Sequence, residues 1–144
     1  MKHGRTNISA GLLFMAGFMV FGFVLIYLRD FAPGKAEWIA EYAVGKHFES
    51  RLAHVHGNLF AFLNIVLGYL LLRLPVNSST TKGVSWLALA GMLMPLGILA
   101  EVTLGAPPVF VLVGAASMVA AVTWLGLAVA RMKAWPEQGE GTKR

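Results

Sequence analysis

The 144-residue sequence predicts an all-α integral membrane protein, a four-helix bundle with four transmembrane spans, on three observations. The first is composition: 57% of residues are apolar and 13% charged, with a mean hydropathy of +0.67, far from the make-up of a soluble globular domain. The second is four stretches, Ile8–Leu28, Leu52–Leu72, Val84–Leu104 and Pro108–Ala130, that contain no Lys, Arg or Asp. Each has about the 20 residues that a hydrocarbon core of ~30 Å demands of a helix. The third is that each run exceeds what one buried face of a soluble helix needs. No water satisfies the backbone at that depth, so the runs are helices rather than loops or open strands. They use up the chain as a single domain over residues 1–135, followed by a Gly- and Glu-rich tail, 136–144, expected to fray.

The first span follows Lys2 and Arg5, as a secretory leader would. Its 21 uncharged residues are too long for a signal core, and Arg29-Asp30-Phe31 offers no small-residue cleavage site, so a retained helix is expected. The connection 29–51 is the only substantial segment outside the spans. After the breaker Pro33-Gly34, residues Lys35 to Ser50 mix Trp38, Ile39, Tyr42 and Phe48 with charges at roughly helical spacing. A short interfacial helix is expected there, its aromatics forming either an interfacial belt or a lid. Asn77-Ser78-Ser79-Thr80-Thr81 reads as a polar turn between the second and third spans. Pro95 should interrupt the third helix near its middle, because proline has no N–H to donate and its ring crowds the preceding turn. Gly105-Ala106-Pro107 connects to the fourth span, and Met15, Met19, Met92, Met94 and Met118 read as core filler or lipid-facing groups.

Orientation follows from the basic flanks. Lys2, Arg5, Arg73, Lys82, Arg131, Lys133, Lys143 and Arg144 fall on one side, against Arg29, Lys35, Lys46 and Arg51 on the other. Eight against four predicts both termini in the cytoplasm, with the expected setting a bacterial inner membrane. The formal charge of +5 is accounted for by flanks that meet anionic headgroups, and nothing suggests a nucleic-acid groove. With no cysteine, disulfides and thiolate metal chemistry are excluded.

The chemistry concentrates at the mouth of the second span, in Arg51-Leu52-Ala53-His54-Val55-His56-Gly57-Asn58. Ionisable groups there are costly, which makes the spot the first place to look for function. At 100° per residue, with His54 set to zero, His47 lies at about 20°, Asn58 at about 40° and Arg51 at about 60°, one polar stripe. His56 falls at about 200°, near Glu49 and Phe60, so the two histidines cannot chelate one ion from a regular helix. Gly57, Ala61, Asn64 and Gly68 form a third face, where small residues admit a neighbouring helix and Asn64 offers an interhelical hydrogen bond. Glu101, the only acid inside any span, is expected at the same membrane level as the histidines. Neutral imidazole ligates metals and haem iron. A zinc or di-iron site needs three or more converging ligands, and no His-Glu-x-x-His or paired Glu-x-x-His pattern is present, so haem is the better-fitting metal reading. Phe60, Phe62, Leu63 and Leu67 are the expected walls of its slot.

At these residues the chain resembles the styrene oxide isomerase family. The stretch from Arg51 to Asn58, continuing to Asn64 in a four-span protein of this size, is similar to that family's second span, where an Ala-His pair, a Gly and a later Asn recur. The resemblance implies a homotrimeric enzyme whose haem b iron, held by His54 or His56, acts as a Lewis acid that opens a small apolar epoxide to a carbonyl without net redox change. Asn64 would help orient the substrate oxygen, Asn58 and Glu101 would be further catalytic candidates, and Phe60 would pack on the cofactor. His56-Gly57-Asn58 also resembles the His-x-Asn core of the glutathione-binding MAPEG family, although Ala61 stands where that family has Glu. A non-enzymatic haem-binding redox or sensor subunit is the remaining alternative.

Overall fold

A computed structural model describes residues 2–132, so the tail expected at 136–144 lies outside the described residues. The elements are α1 (Lys2–Asp30), α2 (Lys35–Ala40), α3 (Gly45–Arg73), α4 (Ser78–Gly91), α5 (Leu93–Leu104) and α6 (Val109–Ala130). Among the described residues there is no strand. Four segments are long and apolar enough to cross a membrane: α1, α3, the stacked pair α4–α5, and α6. The predicted all-α, four-span integral membrane fold is therefore the observed one.

α3 is the central helix. It packs along its whole length against α1 and on another side against α4 and α5, while α6 covers α4–α5 from beyond. α1 and α6 are thus the two outer elements, with much of their apolar surface facing outward. Lipid is as apolar as these side chains, so close packing and internal hydrogen bonds, rather than expulsion of apolar surface from water, hold the helices together.

The α1–α3 seam illustrates both. Gly4, Asn7, Gly11 and Phe18 are buried on α1 at spacings of three, four and seven, one stripe of a helix pair that crosses at a shallow angle. A Cβ on Gly11 would lie 2.6 Å from the Ala61 carbonyl oxygen, and one on Gly68 would lie 2.6 Å from the Gly4 carbonyl oxygen. The small-residue face expected on α3 is the one that meets α1. Within this seam the Asn7 amide donates to Asn64 Oδ1 (2.9 Å) and to the Ser85 carbonyl (3.1 Å), and the Ser85 hydroxyl donates to Asn7 Oδ1. Asn64 in turn donates to the carbonyls of Phe60 (3.1 Å) and Ala88 (2.8 Å). Three helices are tied by one polar knot with no unsatisfied member, as a hydrocarbon surrounding requires.

Three boundaries differ from expectation, each for a local reason. The interfacial helix is only Lys35–Ala40, because Gly45 takes a left-handed conformation (φ 69°) and the Glu41 carboxylate accepts from the Lys46 N–H (3.1 Å), so residues from Gly45 onward belong to α3. The polar turn at 77–81 is mostly helix: Asn77 caps α4 by accepting from the Thr80 N–H at 2.7 Å. The expected break in the third span occurs at Met92, between α4 and α5, where Pro95 leaves the Gly91 carbonyl without its usual donor.

Candidate functional site

At the end of the bundle that carries the α1–α3 connection, the two helices part around a cavity of about 670 Å³. Met19, Phe23, Leu25 and Ile26 of α1 form its apolar wall, and Gly22 its floor. His47, Arg51, His54 and Asn58 enter from α3, with Arg29 and Tyr42 at the rim. These four α3 residues are the polar stripe that helical periodicity gave. The volume is within the ~300–1,000 Å³ of small-molecule and cofactor sites, and the mostly apolar lining with a few convergent polar groups is their usual chemistry.

His54 lies against the α1 backbone because residue 22 has no side chain: a Cβ there would stand 2.9 Å from the imidazole Cε1 and 3.4 Å from Nε2. The Phe21 ring flanks it at 6.3 Å between centroids. His54 Nδ1 is buried without a hydrogen-bond partner, and Nε2 has none either among the described residues. Only one other buried side-chain polar atom is unpartnered among the described residues, the indole nitrogen of Trp38, and it belongs to the cap over this same end. One helical turn along, Asn58 also lines the cavity, and its amide donates back to the His54 carbonyl (2.9 Å).

The cap is built from the connection. His47 stacks on Trp38 (4.6 Å between centroids, 18° between planes) and meets the Tyr42 ring edge-on at 5.3 Å. Its Nδ1 lies 2.7 Å from the Trp38 carbonyl, which can only accept, so the proton is on Nδ1 and the free ring atom is Nε2. Arg51 lies 3.8 Å over the Tyr42 ring and donates to the Tyr42 carbonyl at 3.3 Å. Arg29 is held by Asp30 (2.8 Å). Of this group Tyr42 and His47 line the cavity, and Trp38 backs His47.

His56, as the angles required, does not line this cavity. Its Nδ1 donates to the Leu52 carbonyl (2.9 Å) and its ring meets Phe60 edge-on at 6.2 Å. Phe60 and Leu67 belong to the buried core cluster that also holds residues of α4 and α6, and they do not line the cavity, whose apolar walls come from α1 instead. Asn64 is fully buried with its amide hydrogens and its oxygen committed to the knot with Asn7. Glu101 is exposed in the last turn of α5 and does not reach the cavity. Sequence reasoning missed the α1 contribution, and above all Gly22. The signal was available in the run Gly4, Gly11, Phe18, Gly22, whose spacing puts these residues on the face that meets α3.

The chain matches no known protein family, no curated protein and no solved structure. The site must be interpreted from its own chemistry.

Proposed function

We propose that this protein binds haem b in the cavity between α1 and α3, with His54 Nε2 as the axial ligand, and that it is a membrane enzyme for redox-neutral isomerisation of a small apolar epoxide to a carbonyl. The observation that carries the reading is the His54 imidazole, which has no partner on either nitrogen among the described residues and stands at an apolar cavity large enough for a cofactor. Nε2, unlike Nδ1, is not among the buried unpartnered atoms, and it is the ring nitrogen left open to a ligand supplied from outside the chain. Bound there, haem supplies a Lewis-acidic iron with an open position.

The chain's own residues do the rest. Met19, Phe23 and Ile26 keep water from a cationic reacting centre, and Tyr42 and His47, the latter backed by Trp38, stand at the polar end. Asn58, one turn from His54, is placed to orient a polar substrate atom, a part the sequence reading gave to Asn64. Several of the wall side chains face outward on α1, so an apolar substrate enters from the bilayer. The basic flanks support cytoplasmic termini, which puts the cavity in the outer leaflet. The family resemblance supports a homotrimer.

The test is an absorption spectrum of the protein purified in detergent from haem-replete cells. A Soret band is expected, lost in His54→Ala and kept in His56→Ala. A colourless protein that gains no band on adding haem refutes the reading, and saturable glutathione binding without a chromophore replaces it with the glutathione alternative.

A further inference from the structure

The rim of the cavity carries a positive charge that the described residues do not neutralise. Arg29 is engaged on two nitrogens by Asp30, but Arg51 has no acidic partner among the described residues. Only one of its hydrogen bonds goes to the chain, to the Tyr42 carbonyl, and its guanidinium is held in place over the Tyr42 ring. Beside it, His47 is 4% exposed, yet Nε2 has no partner among the described residues. A half-buried guanidinium and a buried imidazole with one committed and one open nitrogen form a prepared place for an anion, and the planar fork of Arg suits a carboxylate. His54 lies about 10 Å deeper along α3, seven residues on, in the apolar part of the same cavity.

The geometry points to a carboxylate-recognising rim: Arg51 and His47 hold the carboxylate edge of the cavity's ligand while its apolar body extends toward His54. On the haem reading, on which this inference rests, Arg51 and His47 would hold the propionates and the α1 wall would take the apolar body. Because the His47 Nδ1–H is committed to the Trp38 carbonyl, Nε2 is the ring atom left for a ligand at the rim.

The experiment compares ferric protoporphyrin IX with its dimethyl ester, which keeps the iron and the macrocycle and removes both carboxylates. Each is titrated into the full-length protein in detergent, freed of cofactor, with the Soret band as readout. The free acid is expected to bind the wild type about tenfold more tightly than the ester, the scale of one charge-assisted hydrogen bond. Arg51→Gln and His47→Phe should bring the ratio toward one without moving the band, because His54 is untouched. Arg51→Lys, which keeps the charge and the fold but loses the fork, should retain part of the preference. Equal affinities for acid and ester in the wild type overturn the inference alone, as they would if a lipid phosphate neutralised Arg51. No band with either compound overturns the cofactor reading and this inference together.

Discussion

The two halves of the α1–α3 seam are made by the same pair of helices and solve opposite problems. In the half near Gly4 and Gly11, backbone lies against backbone and every buried polar atom of the Asn7–Asn64–Ser85 knot is paired. In the half near Gly22, the glycine admits an imidazole instead of a helix backbone, a cavity opens, and both unpartnered buried polar atoms found among the described residues collect there. One half spends its glycines on contact and the other on access. The contrast separates stability from function along a single interface, because residues that close the first half should govern folding and residues that open the second should govern binding.

The strongest way to break the contrast is to crowd the closed half. Gly11→Leu would drive a side chain into the Ala61 carbonyl and the Ile65 backbone N–H, both fixed in α3, and into the Ile65 side chain. The expected cost is about 3 kcal/mol, the upper part of the range for overpacking. It should appear as loss of folded protein in detergent or as an earlier midpoint in denaturant-induced unfolding. A variant as stable as the wild type would show that the seam is looser than its geometry.

Next in size is the polar knot. Asn64→Leu removes the acceptor of Asn7 and a donor to the Ala88 carbonyl, at a depth where water cannot replace them. Interhelical hydrogen bonds in membranes are worth about 1–2 kcal/mol in peptides and less in whole proteins, so a loss of about 1–2 kcal/mol is expected. The same variant discriminates the two roles that the sequence allowed for Asn64. If it only ties helices, the affinity for haem measured on the folded fraction is unchanged. A folded variant that keeps haem but loses turnover would restore its place beside the substrate.

The closed half was more legible in the sequence than the open one. Angular placement on the second span gave the small-residue face of Gly57, Ala61, Asn64 and Gly68, and separated His54 from His56, because a regular helix fixes both from spacing alone. Asn58 and Arg51 came with His54 for the same reason. What periodicity on one helix could not give was the facing surface. Asn7, just before the apolar run, is the partner of Asn64 57 residues earlier in the chain, and a hydrogen bond over that separation leaves no local signature. The walls of the cavity were sought on α3, at Phe60 and Leu67, whereas those side chains are part of the buried core and the apolar wall of the cavity comes from α1. The cap was half visible: Trp38 and Tyr42 announced an interfacial segment, but their contacts with His47, one stacked and one edge-on, depend on the turn between Glu41 and the left-handed Gly45 that opens α3.

The smallest expected effect on stability is also the sharpest test of the open half. Gly22→Ala adds one methyl group, as a glycine substitution in the closed half would, but what it meets differs. In the closed half a Cβ on Gly11 meets a carbonyl oxygen fixed in a helix, whereas at Gly22 it meets the end of a side chain, the His54 ring, at 2.9 Å from Cε1. The ring can swing toward the cavity, so stability should stay within about 0.5 kcal/mol of the wild type. Binding should not escape so lightly. A ligand ring pushed off its support no longer presents Nε2 at the same place, and disturbing the support of a metal ligand typically weakens affinity by about tenfold or more. The expected result is a folded, monodisperse variant with a weakened or shifted Soret band. Unchanged haem affinity would mean that the position of His54 does not matter to the bound group and would argue against His54 as its ligand. A stability loss as large as that of Gly11→Leu would erase the distinction between the two halves, because it would make Gly22 a packing residue like the others.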